Sequence, residues 1–317
     1  SYTIGPTCAA GWRTALLKCL PMTDIERPVI FGEVLYDCFP DGQMVLGGAP
    51  FNVAWHLQGL GLYPLFISRV GDDPLGHRVR DAMHHHGMDA SGLQLDSSYP
   101  TGKVAITLSD NGHGFEILAD QAYDHIDRGA LPPLPDDTLL YHGSLAARSP
   151  VSADTLAWLC SRYKDRRLID VNLRQPWWQR EQVLDLVEGA WLAKLNDEEL
   201  CELVPGEDDE AARMQRLVEE AGLQLLLLTR GADGAELLAS AGDNVRVVPD
   251  AVTGVVDTVG AGDALTSVVI AGLLHGWPYR QTLERAQAFA SAIVGRRGAT
   301  VSEPEFYREL THAWKLT

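Results

Sequence analysis

Short apolar runs alternate with helix-like segments along most of the chain, and this alternation limits the possible folds more than any other feature. Each run is bounded by charged or turn residues, as are strands buried on both faces of a sheet. The runs are VIFGEVL, PLFISRV, TLLYHGS, RRLIDVN, AWLAKLN and LQLLLLT. Helical spacing predicts helices at 51–60, 74–86, 151–163, 180–188 and 209–221. The alternation predicts a three-layer α/β/α domain with a mainly parallel central sheet.

Two stretches break this rhythm and predict a second, smaller sheet. LYDCFPDGQMVL at 35–46 and TGKVAITLSDNGHGFEIL at 101–118 alternate apolar and polar residues around turns that contain glycine. This alternation is typical of antiparallel hairpins. We therefore expect inserted strands from about 34–47 and 99–119, outside the main sheet.

The charge and the cysteines of the chain exclude several classes of partner. A formal net charge of -17 over 317 residues argues against nucleic acid or an anionic membrane surface. No apolar run approaches the roughly 20 residues that a membrane-spanning helix needs. The five cysteines form no C-x-x-C pair, which is typical of a protein from the reducing cytoplasm.

The first 28 residues differ from the rest of the chain. They carry Arg13 and Lys18 and contain no acidic residue before Asp24. A signal or transit peptide is one interpretation, but no uninterrupted apolar core precedes a small-residue cleavage site. We interpret residues 1–28 as an N-terminal extension outside the fold and residues 29–317 as the folded domain.

The stretch VDTVGAGDAL at 256–265 places a glycine turn and two carboxylates directly before a predicted helix at 264–275. The glycine turn consists of Gly260, Ala261 and Gly262. Unpaired N–H groups at the first turn of a helix, together with the helix dipole, bind anions such as phosphate. Asp263 could then accept a proton from a hydroxyl that attacks phosphorus. Taken alone, the stretch is equally consistent with a loose turn and a capping aspartate.

Two common nucleotide-binding patterns are excluded. The chain has no G-x-x-x-x-G-K-[ST] segment, so it does not contain a P-loop. The glycine turn does not continue to a third glycine, because Leu265 occupies that place, and the dinucleotide-binding fingerprint also fails. This argues against a dehydrogenase.

The glycine turn belongs to a set of segments that resembles the ribokinase-like (pfkB-type) carbohydrate kinases. DTVGAGDAL resembles the second signature of this family, and GGAPFNVAWHLQGLG at 47–61 resembles the first. Further segments match in the order of the family: GEVLYD at 32–37, VGDDPLG at 70–76, NDEE at 196–199 and LTRGADG at 228–234. The resemblance covers about residues 28–317, and the ordered set is far more specific than any single motif.

The resemblance implies a large α/β domain that carries a small β-sheet lid, with the substrate in the cleft between them. Asp37 and Asn52 would hold sugar hydroxyls, and Gly47 and Gly48 would let the sugar lie against the backbone. A carboxylate and a carboxamide suit a polyol, because they offer several acceptors and donors. The family often dimerises through its lid, so a homodimer is expected.

The resemblance also implies the reaction, in which the γ-phosphate of MgATP is transferred to a primary hydroxyl of a small sugar. Asp263 would act as the base, and the amides of the glycine turn would stabilise the transferring phosphoryl group. Asn196 and Glu199 fit the N-x-x-E pattern of the family, which positions Mg²⁺ through water. Magnesium keeps most of its waters, so few direct protein ligands are expected.

Two further sets of residues follow from the resemblance. The nucleotide would be lined by Thr229, Gly231 and Gly234, although Arg230 departs from the small or apolar residue often found beside them. A potassium ion beside the glycine turn would be held by Asp257, the Val259 carbonyl, Gly298 and Ser302.

The identity of the sugar is a finer question. GGAPFN replaces the GGKGAN of ribokinases, and together with PTGKVAITL, YHGSLA and IDVNLRQPWW it resembles bacterial fructokinases most closely. A 2-keto-3-deoxygluconate kinase shares much of this pattern, and Arg174 could bind a carboxylate bidentately or contact phosphate. We favour fructose, with ketodeoxygluconate, another hexose, or a nucleoside or pentose as alternatives. A sugar-sensing protein without activity would have lost the base or the anion site, yet GAGD is intact.

Overall fold

Two β-sheets form the framework of the computed structural model, which describes residues 22, 24–25, 27–109, 112–207, 209–249, 258–296 and 298–316. The strands are β1 (Val29–Phe31), β2 (Leu35–Cys38), β3 (Met44–Gly47), β4 (Leu65–Gly71), β5 (Leu93–Asp96), β6 (Gly102–Ser109), β7 (Gly112–Ile117), β8 (Leu140–His142), β9 (Arg167–Asp170), β10 (Leu192–Asn196), β11 (Leu225–Thr229), β12 (Ala235–Ala239) and β13 (Asn244–Val247).

The larger sheet has the strand order β13-β12-β11-β10-β9-β8-β1-β4-β5. Its seven neighbouring strands β11, β10, β9, β8, β1, β4 and β5 are parallel to one another, which confirms the predicted mainly parallel sheet. Strand β12 is antiparallel to both β11 and β13, so this edge is a hairpin that the apolar runs did not predict. Strand β1 lies between β4 and β8, which makes it the point where the strand order reverses.

The α-helices cover both faces of this sheet. They are α1 (Ala49–Gly59), α2 (Pro74–His85), α3 (Pro150–Arg162), α4 (Arg180–Val187), α5 (Asp197–Leu203), α6 (Glu210–Ala221), α7 (Ala261–Leu274), α8 (Tyr279–Val294) and α9 (Pro304–Trp314). The predicted helices are present within one or two residues, except that α7 begins at Ala261 rather than at Ala264. In the part of the chain that is described, no helix is long and apolar enough to cross a membrane.

The core is divided by the sheet into layers, because successive strand residues point to opposite faces. Ile30 packs in one cluster with residues of α1, α7 and α8, whereas its neighbours Val29 and Phe31 pack in another with residues of α3. On β11, Leu227 packs in the same cluster as Ile30, whereas its neighbour Leu226 packs in a third cluster with residues of α4, α5 and α6. Apolar residues on both faces explain why the parallel strands are apolar throughout, and they confirm the predicted three-layer architecture.

The smaller sheet has the order β3-β2-β6-β7 and contains both predicted hairpins. Strand β2 pairs antiparallel with β3, and β6 pairs antiparallel with β7, while β2 and β6 are parallel. Because Asp37 lies on β2 and Gly47 ends β3, this sheet presents its residues beside the start of α1.

The predicted boundary at residue 28 needs a correction. Met22 and Ile25 are buried in the largest core cluster, with 4% and 8% of their surface exposed. Asp24 pairs with Arg166, and Arg27 pairs with Asp89. The folded unit therefore begins no later than Met22, because these side chains gain apolar burial and ion pairs on the domain that follows.

Candidate active site

The reversal of strand order at β1 marks the position of the candidate active site. In open α/β sheets, ligands bind beyond the carboxyl ends of the strands at the point where the order reverses. Here that point lies between β1 and β8. Glu33 follows the end of β1, and Gly143 follows the end of β8. The predicted site residues collect along this edge.

Asn52 and Asp263 meet at the centre of the site. The side-chain nitrogen Nδ2 of Asn52, on α1, donates a hydrogen bond of 2.8 Å to Oδ2 of Asp263, on α7. The start of α1 requires glycine, because Gly48 has a φ of 110° and a Cβ there would lie 2.8 Å from the carbonyl oxygen of Glu33. The close approach of Gly48 to Glu33 thus brings Asn52 to the end of β1.

Asp37 faces Asn52 across Gly47. A Cβ built on Gly47 would lie 3.8 Å from Oδ2 of Asp37 and 3.9 Å from Oδ1 of Asn52. Oδ1 of Asn52 is buried and has no hydrogen-bond partner within the described residues. Buried polar atoms are nearly always paired, so an unpaired acceptor here indicates a place for a ligand hydroxyl or a water molecule. The structure thus brings together Asp37, Gly47, Asn52 and Asp263.

The glycine turn forms the first turn of α7. Gly260 is the N-cap residue with a φ of 80°, and a Cβ there would lie 2.3 Å from the Cβ of Ala299. The first intrahelical bond runs from the N–H of Ala264 to the carbonyl of Gly260, at 2.9 Å. The N–H of Ala261 lies 3.4 Å from the carbonyl oxygen of Thr258, whereas the amides of Gly262 and Asp263 belong to the donors that a helix leaves unpaired at its N-terminus. This geometry suits an anion.

The protonation of Asp263 is set by opposing effects. Burial raises the pKa of its carboxyl to about 6, and the negative charge of Asp170 adds to this rise. The hydrogen bond from Asn52 and the positive charges of Lys194 and Arg174 oppose the rise. A carboxylate with a pKa near 6 is mostly ionised at neutral pH and can still accept a proton, as a general base must.

A buried ion pair lies directly beneath the glycine turn. Nζ of Lys194 is 2.9 Å from Oδ1 of Asp170, and a Cβ built on Gly262 would lie 3.2 Å from the same nitrogen. Oγ1 of Thr266 donates to the Gly262 carbonyl at 2.9 Å and lies 3.3 Å from Oδ2 of Asp170. Burial disfavours the charged form of Lys194, but the charges of Asp170 and Glu199 outweigh it and raise its pKa. A fixed positive charge therefore stands beside the glycine turn.

Glu33 and Arg174 form the other side of the site. Glu33 is 3% exposed, its Oε2 has no hydrogen-bond partner in the described part of the chain, and burial raises its pKa to about 7. The Arg174 side chain is exposed, yet its charge lowers the pKa values of both Glu33 and Asp263. Arg174 therefore stands at the mouth of the site, close enough to act on an anionic ligand.

Asn196 and Glu199 form a capping box at the start of α5. Oδ1 of Asn196 accepts from the N–H of Glu199 at 2.7 Å, and Oε2 of Glu199 accepts from the N–H of Asn196 at 2.9 Å. Oε1 of Glu199 accepts from the N–H of Leu173 at 2.8 Å. Burial raises the pKa of Glu199, and Lys194 opposes that rise. These contacts hold a carboxylate rigidly at the carboxyl end of β10, near Lys194.

The residues predicted to line the nucleotide lie on the adjacent strand end. Thr229 ends β11 and pairs in register with Asn196 on β10. Gly231 lies in a short 3₁₀ turn, and Gly234 has a structural reason to be glycine, because a Cβ there would lie 2.1 Å from the carbonyl oxygen of Val247. Arg230 is turned toward α6 and β12, where it pairs with Glu210 at 2.6 Å and Glu236 at 2.7 Å.

The predicted potassium ligands are described in part. Asp257 lies outside the described residues. Val259 is half-exposed and Ser302 is exposed. The segments that carry Val259 and Gly298 touch, because Gly260 packs on Ala299. The described residues contain no group of three or more His, Cys, Asp or Glu side chains placed to hold a metal ion.

The sequence motifs do not identify three charged residues of the site: Glu33, Asp170 and Lys194. Each left a signal, because each is a charged residue within or directly after an apolar strand run. Charged residues are almost never fully buried unless they are paired. Asp170 and Lys194 are direct neighbours on the paired strands β9 and β10.

Comparisons with known proteins identify the family of the chain. The profile of the pfkB family of carbohydrate kinases matches residues 30–305, so the chain belongs to this family. It is therefore a sugar kinase, a phosphotransferase, and the predicted family is confirmed. The chain is 33% identical over 295 residues to a fructokinase of Klebsiella pneumoniae, which covers 87% of this chain and 95% of that protein.

Solved structures show the same fold. A fructokinase from Xylella fastidiosa with bound ATP has a TM-score of 0.80 at 22% identity, over 92% of this chain and 99% of that chain. A double mutant of the fructokinase from Vibrio cholerae O395, with fructose, ADP and potassium ion bound, has a TM-score of 0.76 at 23% identity. The latter covers 88% of this chain and 95% of that chain.

Proposed function

We propose that this sugar kinase transfers the γ-phosphate of ATP to the primary hydroxyl of D-fructose and forms D-fructose 6-phosphate. The observation that carries the proposal is the 2.8 Å contact between Asn52 and Asp263, which joins the sugar-binding side of the site to the glycine turn. Fructose is favoured because the Klebsiella pneumoniae relative is a fructokinase. The Vibrio cholerae structure, which holds fructose and ADP, also supports it.

Asp37 and Asn52 bind the sugar in this proposal. The carboxylate of Asp37 accepts hydrogen bonds from sugar hydroxyls, and the unpartnered Oδ1 of Asn52 accepts another. Gly47 separates the two side chains and leaves room for the sugar against the backbone. The Nδ2 group of Asn52 meanwhile holds Asp263 in place.

Asp263 acts as the general base. Its carboxylate takes the proton of the primary hydroxyl as the hydroxyl oxygen bonds to the γ-phosphorus and the bond to the ADP oxygen breaks. The proton then leaves Asp263 to solvent. A positioned base typically contributes about 10²- to 10⁴-fold in rate. A pKa of about 6 suits this role at neutral pH.

The glycine turn and Lys194 stabilise the charge of the transferring phosphoryl group. The amides of Gly262 and Asp263 at the start of α7 donate hydrogen bonds to its oxygens, and the dipole of α7 adds a favourable potential. Nζ of Lys194 stands on the inner side of Gly262 and is held there by Asp170. Arg174, at the mouth, attracts the anionic nucleotide or product.

Asn196, Glu199 and Thr229 serve the nucleotide and its metal ion. The carboxylate of Glu199, held by the N–H groups of Asn196 and Leu173, keeps lone pairs for a hydrated cation. These oxygen donors fit Mg²⁺, which prefers oxygen and retains several waters. When bound, Mg²⁺ neutralises charge on the phosphates of ATP. Thr229, Gly231 and Gly234 line the ATP phosphates and ribose.

A potassium ion would sit behind the glycine turn. Asp257, the Val259 carbonyl, Gly298 and Ser302 are its proposed ligands. The contact of Gly260 with Ala299 brings two of these segments together. The Vibrio cholerae fructokinase with bound potassium ion supports this assignment. Replacing KCl with NaCl in the assay should lower kcat, and equal rates in both salts would contradict it.

A homodimer through the smaller sheet is the quaternary structure that we propose. Met44 and Phe115 on this sheet are 38% and 62% exposed. Light scattering after size exclusion should give twice the mass of one chain. A Phe115→Lys variant should be a monomer, and a monomeric wild-type protein would contradict the proposal.

The substrate assignment is tested by a coupled assay for ADP formation with fructose, glucose, ribose, ketodeoxygluconate and adenosine. The highest kcat/KM is expected with fructose. Turnover with another acceptor alone would keep the kinase chemistry and overturn fructose. An Arg174→Met variant should lose far more activity with ketodeoxygluconate than with fructose if that acid is the substrate, because its carboxylate would lose its partner.

A further inference from the structure

Helix α1 carries a stripe of four residues on the face that holds Asn52. Residues at i, i+3, i+4 and i+7 share one face of a helix, and here they are Asn52, Trp55, His56 and Gly59. Asn52 contacts Asp263, whereas Trp55 donates from Nε1 to the carbonyl of Val301 at 2.8 Å. At Gly59 a Cβ would lie 2.5 Å from the Tyr307 ring. One face of α1 thus contacts both Asp263 and the segment that carries Val301 and Tyr307.

His56 is the buried centre of this stripe. Nε2 lies 2.9 Å from the carbonyl oxygen of Ala299, and Nδ1 lies 2.9 Å from the hydroxyl of Tyr307. A carbonyl cannot donate, so Nε2 carries the proton, and in the neutral ring Nδ1 accepts from the Tyr307 hydroxyl. Burial lowers the pKa of His56 to about 4, so the ring is neutral at pH 7. The direction of both bonds is therefore fixed.

Ala299 transmits this contact to the glycine turn. Gly260 approaches Ala299 so closely that a Cβ at Gly260 would lie 2.3 Å from Cβ and 2.6 Å from Cα of Ala299. Gly260 is also the N-cap of α7, and its φ of 80° sets the direction in which the following amides point. A shift of Ala299 would therefore shift these amides.

We propose that His56 is a positioning residue for phosphoryl transfer: its Nε2–H holds the Ala299 carbonyl, and the held Ala299 fixes Gly260 and with it the amides of the glycine turn. This role rests on the proposed function of the turn as the anion site. His56 touches neither substrate. It acts through the backbone of residues 299–301, which Trp55 secures beside it.

Two substitutions at His56 differ in whether they keep the hydrogen bond to the Ala299 carbonyl. Glutamine can place its side-chain nitrogen near the position of Nε2, so His56→Gln keeps the donor to Ala299. Asparagine reaches only the position of Nδ1, so His56→Asn loses that donor. We expect His56→Asn to lower kcat by about 10- to 100-fold, as misplacement of reacting groups by about 1 Å does. KM for fructose should stay within about threefold, and His56→Gln should restore most of kcat.

A matched control separates positioning from stability. Phe289 packs edge-on against the His56 ring at 5.0 Å between centroids. Phe289→Leu should lower the melting temperature, yet it keeps the bond to Ala299 and should keep kcat. Equal kcat losses in His56→Asn and His56→Gln, or an unchanged kcat in His56→Asn, would overturn the proposal. If His56→Asn does not fold, Trp55→Phe decides, because it removes the indole donor to Val301 and keeps an aromatic ring at this position: a lowered kcat supports the proposal and an unchanged kcat overturns it.

Hydrogen exchange gives a readout that does not depend on activity. Amide exchange in the peptide spanning residues 258–264 should be faster in His56→Asn than in wild type, and unchanged in Phe289→Leu. Unchanged exchange in His56→Asn would overturn the inference even in an active enzyme. Faster exchange in an enzyme without sugar-dependent turnover would instead leave the positioning intact and refute the proposed reaction.

Discussion

Nδ2 of Asn52 donates a 2.8 Å hydrogen bond to Oδ2 of Asp263 across 211 positions of sequence. The two residues belong to the two signature segments that carry the resemblance to carbohydrate kinases, and the fold brings these segments into contact. A hydrogen bond donated to a carboxylate favours its charged form and lowers its pKa. Asn52 therefore helps to keep Asp263 ionised, in addition to its proposed contact with the sugar.

The pH dependence of turnover should report this bond. A base must be deprotonated, so kcat/KM for fructose should fall about tenfold per pH unit below the pKa of Asp263, which is about 6. Asn52→Ala should move this acid limb to higher pH, because the bond that opposes protonation is lost. Gln58→Ala, on the same helix with an exposed contact to Gly87, should leave the limb in place. An acid limb at the same pH in Asn52→Ala would contradict this account.

The buried pair of Lys194 and Asp170 can be tested for catalysis and stability separately. Lys194→Met should lower kcat by about 10²- to 10³-fold, as removal of a donor to the transition state does. It should also lower the free energy of unfolding by about 3–5 kcal/mol, because Asp170 is left as an unpaired buried charge. Adding Asp170→Asn should recover most of the stability while kcat stays low. Recovery of kcat together with stability would show that Lys194 is structural.

Two glycines with nearly the same φ provide a matched test of the glycine turn. Gly260 and Gly242 have φ values of 80° and 87°, and a Cβ at Gly242 would meet no atom within 4 Å. Gly242→Ala should cost about 1–2 kcal/mol from the left-handed backbone alone. Gly260→Ala should cost more, because its Cβ meets Ala299, and it should also lower kcat. Equal stability losses in urea unfolding and equal kcat values would refute the role of this contact.

Glu33 should destabilise the free enzyme at high pH. Burial raises its pKa from 4.5 to about 7, so the folded state binds this proton more tightly than the unfolded state. The free energy of unfolding therefore falls as pH rises from 4.5 to 7, by roughly 3 kcal/mol in all. Glu33→Gln should stabilise the protein, and by roughly 2 kcal/mol more at pH 8 than at pH 5.5. The control is Glu284→Gln, on the exposed face of α8, which should show no such difference between the two pH values. An effect of Glu33→Gln that does not change with pH would argue against burial of the Glu33 charge.

The sequence predicted those parts of the fold that depend on local pattern. Apolar runs identify six of the seven parallel strands because both faces of each strand are buried, and the two hairpins of the smaller sheet follow from their alternation. The short parallel strand β5 at the edge of the sheet was missed. Residues from Asn244 onward (NVRVV) read as strand-like, but strand β12 and its antiparallel pairing with β11 and β13 were missed because a short edge hairpin lacks a long apolar run. The packing of Met22 and Ile25 was missed because two apolar residues within the mostly polar stretch PMTDIERP show neither helical nor strand periodicity.

In the candidate site too, local motifs predict some residues, whereas others come together only through the fold. Asp37, Asn52 and Asp263 lie in motifs, so they could be predicted one by one. Lys194 and Asp170 face each other only because β9 and β10 are neighbours in register, and strand order is not written in local sequence. His56 gave no signal, since a single histidine in an apolar helix does not reveal that it meets Ala299 243 positions away.

The most direct test of the account is kcat for ATP-dependent phosphorylation of fructose in Asp263→Asn, compared with wild type and with Asp185→Asn. Asp185 is exposed on α4 and serves as the surface control. We expect a loss of at least about 10²-fold in Asp263→Asn, with KM for fructose nearly unchanged and Asp185→Asn equal to wild type. A folded Asp263→Asn enzyme with wild-type kcat would show that another group takes the proton, and it would contradict the account.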